Sequence, residues 1–144
     1  MRNLRVVSVA LGLLLCGLSS VLAQDDKGLE GSWIIVSGQA QGKEVPAKEF
    51  QDGEVIFADG NMTAKKGGKT FNVFTYKLDI KTKPASIDFA GIEGADKGKK
   101  QPAIYEITGQ EMKLCISVDG KDRPTTFRTE EGRDWLLLVL KRKK

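Results

Sequence analysis

Nothing in this chain constrains its fold more than the spacing of its turn signals. Asp59-Gly60, Lys66-Gly67-Gly68-Lys69, Lys81 to Pro84, Gly109-Gln110, Asp119 to Pro124 and Glu130 to Asp134 separate short segments of alternating apolar and polar residues. Segments punctuated this way read as antiparallel strands joined by tight turns. Strands are predicted at Gly31 to Ser37, Glu54 to Ala58, Asn61 to Lys65, Thr70 to Ile80 and Ser86 to Ala90. Further strands are predicted at Pro102 to Thr108, Glu111 to Val118, Thr125 to Thr129 and Trp135 to Lys141. Gly91 to Lys100, rich in glycine, lysine and acid, is expected to be the longest loop. Val45-Pro46-Ala47-Lys48-Glu49-Phe50 is expected to make one helical turn, because proline suits a helix's first position.

So many short strands with no long helix imply an all-β sandwich or barrel. The connections are short, and the first and last strands are among the most apolar. Pairing those two strands would close the sheet and remove two aggregation-prone edges. The expected fold is an antiparallel up-and-down β-barrel of eight to nine strands, with at most one short helical turn.

The N-terminus points to export. Arg2 and Arg5 precede an apolar run from Val6 to Leu15, and Val21-Leu22-Ala23 supplies small residues for cleavage before Gln24. Residues 1–23 are read as a signal peptide and residues 24–144 as one barrel domain. The rival reading is an uncleaved anchor, but the apolar part is short and broken by Ser19 and Ser20. Cys16 follows Leu14 and Leu15, which does not suit a lipidation site. The expected location is periplasmic or extracellular, with no stable membrane insertion after cleavage.

Cleavage after Ala23 leaves 121 of the 144 residues, enough to bury a core without staples. Losing Arg2 and Arg5 brings 23 Lys and Arg down to 21, against 19 Asp and Glu, so the net charge is +2. A nucleic-acid partner is therefore not expected, and the tail Lys141-Arg142-Lys143-Lys144 reads as a solvated terminus. Cys115 becomes the sole cysteine, so no intramolecular disulfide can form. Alternation puts it opposite Met112, Leu114 and Ile116, as a small half-buried filler. The expected state is a monomer, with a Cys115-linked dimer as the alternative.

The chain has no histidine. That removes Ser-His-Asp and Cys-His catalysis and His-ligated zinc. Acids in the predicted turns are interleaved with cations and read as solvated. No metal, no cofactor and no catalytic residue is implied. An enzyme would need polar groups converging inside the barrel, and only Tyr76, Tyr105 and Asp88 offer themselves. Alternation turns Asp88 away from Ile87 and Phe89.

Trp33 follows Gly31 by two residues on the first strand. This resembles the Gly-x-Trp signature of lipocalins, where the indole plugs the closed end of the barrel. Further landmarks are Gly42-Lys43-x-Val45-Pro46, Tyr76-Lys77-Leu78-Asp79, Ile87-Asp88 and Asp96-Lys97-Gly98-Lys99. Ile104-Tyr105-Glu106, Leu114-x-Ile116, Arg123-Pro124-x-x-Phe127 and Leu136 to Arg142 follow. Their order and spacing resemble a small secreted lipocalin-like domain family of unknown function, numerous in planctomycete bacteria. The resemblance implies a lipocalin-like barrel and no known activity. It also implies a basic residue packed across the indole, for which Arg128 and Lys141 are the candidates. Lipocalins usually add a C-terminal helix and disulfides, and this chain has neither.

The functional expectation is an exported, non-catalytic barrel that binds a small apolar ligand. The candidate lining is Trp33, Ile35, Val55, Phe57, Phe74, Tyr76, Leu78, Tyr105, Ile107, Met112, Leu114 and Ile116. The alternative is a cell-envelope interaction module with a filled core, whose loops and basic tail contact a protein or polymer. The interior distinguishes the two, since a binding protein needs a cavity of several hundred Å³.

Overall fold

The aromatic and β-branched run Trp33-Ile34-Ile35-Val36 suits a pleated surface, and it lies on the strand that closes the sheet. A computed structural model describes residues 28–144, so the signal-peptide reading of residues 1–23 lies outside the described residues. Nine strands form among the described residues: β1 (Gly31–Ala40), β2 (Lys43–Glu44), β3 (Gly53–Ala58), β4 (Asn61–Lys66), β5 (Lys69–Asp79), β6 (Ala85–Gly94), β7 (Lys100–Thr108), β8 (Glu111–Ser117) and β9 (Trp135–Arg142). One 3-10 turn, Ala47–Glu49, sits between β2 and β3. From β3 to β9 each strand pairs antiparallel with the next, and β1 pairs with both β3 and β9. The result is a closed eight-stranded up-and-down barrel, with β2 as a two-residue extension of the β1 hairpin. Closure satisfies both edges of the sheet that β1 and β9 would otherwise expose.

Alternation decides what faces inward. Trp33, Val55, Phe57, Phe74, Ile87, Phe89, Tyr105, Met112, Leu114, Leu138 and Leu140 form one continuous buried core. Asp88 points outward, as its parity predicts, and pairs with Arg123.

Three segments differ from the sequence expectation, the first being the two-residue β2, where no strand is predicted. The stretch read as a loop from Gly91 onward continues β6 to Gly94, and only residues 95–99 turn. Glycine here marks a close approach and not a break. A Cβ on Gly91 would lie 1.9 Å from the Asp96 carbonyl oxygen, so the turn folds back onto the strand only because the side chain is missing. The third difference is Thr125–Thr129, which is not a strand. β8 already pairs with β7 and β9, so the closed sheet offers no edge to join.

The longest connection therefore runs from residue 118 to 134, and it folds across the outside of β7, β8 and β9. Under it Ile104, Cys115, Trp135 and Leu137 make a second buried cluster, with Phe127 packed against them. Polar contacts fasten this strap. Arg123 Nη1 donates to the Ala103 carbonyl at 2.9 Å, and Trp135 Nε1 donates to that of Asp122 at 3.2 Å. Gln41 Nε2 donates to the Arg133 carbonyl at 3.0 Å, and Gln41 Oε1 accepts from Gly132 N at 2.8 Å. The Arg133 guanidinium stacks 4.7 Å from the Trp135 ring centroid.

Cys115 has the parity expected of it, but it is fully buried and not half-buried. Burial pushes its thiol from 9.0 up to about 11. The raised value favours the neutral thiol in the folded state. Its contribution is complete below pH 9 and is lost as pH rises to about 11, a difference of about 3 kcal/mol. Urea melts between pH 8 and 11 should show an alkaline loss in the native protein that Cys115→Ala lacks. Equal pH slopes would contradict this assignment.

Candidate functional site: a cup at one end of the barrel

The two ends of the barrel are built differently. At one end Trp33 is wholly buried, and its Nε1 donates to the Leu29 carbonyl at 2.9 Å. The Arg142 guanidinium lies over the indole, 4.2 Å from the ring centroid. Its Nη1 donates to the Glu30 carbonyl at 2.9 Å and its Nη2 to that of Gly28. Gly31 has φ +120°, and a Cβ there would sit 3.0 Å from Arg142 Nη1. Glycine two residues before the tryptophan thus makes room for the cation that covers it.

The covering cation is neither Arg128 nor Lys141. Arg128 belongs to the strap, where its carbonyl oxygen faces Cys115 Sγ. Lys141 is paired in register with Ile34 and is exposed. Trp33 pairs with Arg142, one residue further, which brings the guanidinium to the inner face. The basic tail is thereby partly committed, since Lys143 Nζ also lies 3.3 Å from Glu54 Oε1. Arg142→Ala should lower the unfolding free energy by about 2 kcal/mol, from the lost cation–π contact and carbonyl bonds. Arg128→Ala and Lys141→Ala should stay within about 0.5 kcal/mol of the parent. Equilibrium urea melts give the ranking, and a larger loss at Arg128 would contradict it.

Above the plug the barrel is packed with rings. Phe57 meets Tyr76 edge-on at 5.5 Å between centroids, and Phe74 meets Phe89 at 5.9 Å. Each such pair adds about 1 kcal/mol beyond its burial. Met112, Leu140 and Ile87 fill the remaining volume.

Nearer the opposite end the filling stops. A cavity of about 270 Å³ opens there, walled by Ile35, Val55, Met62, Ala64, Phe74, Leu114, Ile116, Leu136 and Leu138. The 3-10 turn sets Phe50 at the mouth. Polar groups gather only around the rim. Asn72 and Asp96 bind each other twice: Asn72 Nδ2 donates to Asp96 Oδ2 at 3.0 Å, and Asp96 N donates to Asn72 Oδ1 at 3.2 Å. Gln101 Nε2 donates to the Val118 carbonyl at 3.3 Å. The turn at 95–99 is therefore pinned to β5. Beside it, the Lys121 backbone N–H holds the Asp119 carboxyl below its usual range.

All twelve residues expected to line the interior belong to the inner core or pack against it. Five of them, Ile35, Val55, Phe74, Leu114 and Ile116, wall the cup. Trp33, Phe57, Tyr76, Leu78, Tyr105, Ile107 and Met112 are set apart from it, in the core or at the plugged end. Sequence reasoning missed Met62, Ala64, Asn72, Gln101, Leu136 and Leu138. The apolar strand from Trp135 was visible, but the face each leucine takes was not assigned. Among the described residues, no group of three or more His, Cys, Asp or Glu side chains is placed to hold a metal ion. No family model, curated protein or solved structure matches this chain.

Proposed function

We propose that the protein is an exported, non-catalytic barrel of lipocalin-like type that holds a small apolar group in the cup. The observation that carries this is the contrast between the ends. One end is sealed by an indole, a guanidinium and stacked rings, while the other leaves an apolar cavity with polar groups confined to its rim. A wall of Leu, Ile, Val, Met and Phe offers dispersion and desolvation, and the two buried amides at its edge, Asn72 and Gln101, are bonded to Asp96 and the Val118 carbonyl, so it favours hydrocarbon or aromatic groups over polar ones. At about 270 Å³ the cup is just below the ~300–1,000 Å³ usual for ligand pockets. It accepts one ring system or a short branched chain and leaves the remainder of a larger ligand outside.

The solid lower half supports a second reading, a cell-envelope interaction module that uses its loops. Titration with N-phenyl-1-naphthylamine, an uncharged apolar fluorophore, separates the two. A saturable one-to-one fluorescence gain supports the cup. Emission that never rises above that of buffer would leave the module.

A further inference from the structure

The most exposed large apolar side chain among the described residues is Phe71, at 52 %. It borders the cup mouth. It stands between two turns, the β4–β5 hairpin and the β6–β7 turn. Asn72 pairs with Gly94, and a Cβ on Gly94 would lie 2.0 Å from the Phe71 carbonyl oxygen. Residues 65–72 and 93–100 carry six lysines, Lys65, Lys66, Lys69, Lys97, Lys99 and Lys100, against Glu93 and Asp96, and two further acids line the mouth, Glu49 and Glu54, of which Glu54 pairs with Lys143. Asp96 is already bonded to Asn72 and Lys99. Val118, exposed at 42 %, borders the same mouth. A ring standing out of a lysine-rich lip joins an apolar anchor to a positive collar.

We propose that this lip docks the barrel onto an anionic phospholipid bilayer. Each lysine near such a surface adds attraction to the anionic headgroups, and Phe71 enters the headgroup layer beside the cup mouth. The cup then opens onto the apolar boundary of the bilayer, where an apolar ligand is found. The proposal rests on the cup reading for this last step only. The other basic end is a weaker match: it carries Ile80, Lys81, Lys83 and the tail, but Arg142 is spent on Trp33 and Lys143 faces Glu54.

The test is flotation of the purified protein with two kinds of vesicle, phosphatidylcholine alone and phosphatidylcholine with phosphatidylglycerol. The protein should float with the anionic vesicles only and be released by salt. Lys66→Glu with Lys97→Glu should weaken binding at least about tenfold, and Phe71→Ser several-fold. Lys81→Glu with Lys83→Glu should leave it unchanged. If the first pair misfolds by circular dichroism, Lys69→Glu with Lys100→Glu replaces it. Three results would overturn the proposal: no flotation with anionic vesicles, equal flotation with neutral ones, or a loss that follows Lys81 and Lys83. Flotation needs no cup ligand, so a failed fluorophore titration and a failed flotation are separate outcomes.

Discussion

Trp33→Ala is expected to lower the unfolding free energy by about 4 kcal/mol. The indole is wholly buried, and its removal opens a void that the rigid barrel end cannot collapse. It also deprives the Leu29 carbonyl of its donor and leaves the Arg142 guanidinium without the ring it covers. A single domain is stable by only about 5–15 kcal/mol, so this variant should be close to unfolding at 37 °C. Trp33→Phe keeps most of the ring volume and loses the N–H bond, so it should cost about 1–2 kcal/mol. Urea melts measure both. A loss below about 1 kcal/mol for alanine would mean that the plug does not hold this end together.

The second large effect is on binding. Ala64 is buried in the cup wall, where it is among the smallest side chains. Ala64→Trp places an indole in the cavity and should weaken naphthylamine binding by more than about tenfold, since the displaced group loses most of its burial. Stability should change by no more than about 1–3 kcal/mol, the range for an overfilled core. Val36→Trp adds the same ring on the outer surface of β1, where Val36 is already exposed, and should leave binding intact. Equal affinity in the two variants would place the fluorophore outside the cup.

How far the sequence could be read follows from these same residues. Turn chemistry and period-two alternation located eight of the nine strands to within a few residues; β2 was missed, and a strand was expected at Thr125–Thr129 where there is none. The two-residue β2 is too short to carry a periodic signal. The inner face of each strand was legible because its side-chain period is two. Depth along the barrel was not legible, because alternation does not say whether Tyr105 or Leu114 sits nearer the mouth. That is why the expected lining mixes plug and cup. Bulges at Ile35/Ser37, Ala64/Lys65 and Val73/Phe74 shift the register in ways the pattern cannot show. The strap at 118–134 was misread for a different reason. Its Pro124 is buried and its Phe127 half-buried against the outside of the barrel, where alternation predicts solvent. The choice of Arg142 over Lys141 needed the pairing of β9 with Trp33, which no local sequence contains.

The most direct test of the central claim is native mass spectrometry of the protein purified from its own host without refolding. The account predicts a one-to-one adduct with the mass of a small apolar metabolite or lipid. That adduct should be lost under denaturing conditions and absent from Ala64→Trp. A bare chain in the native protein, or an adduct that persists in Ala64→Trp, would contradict it.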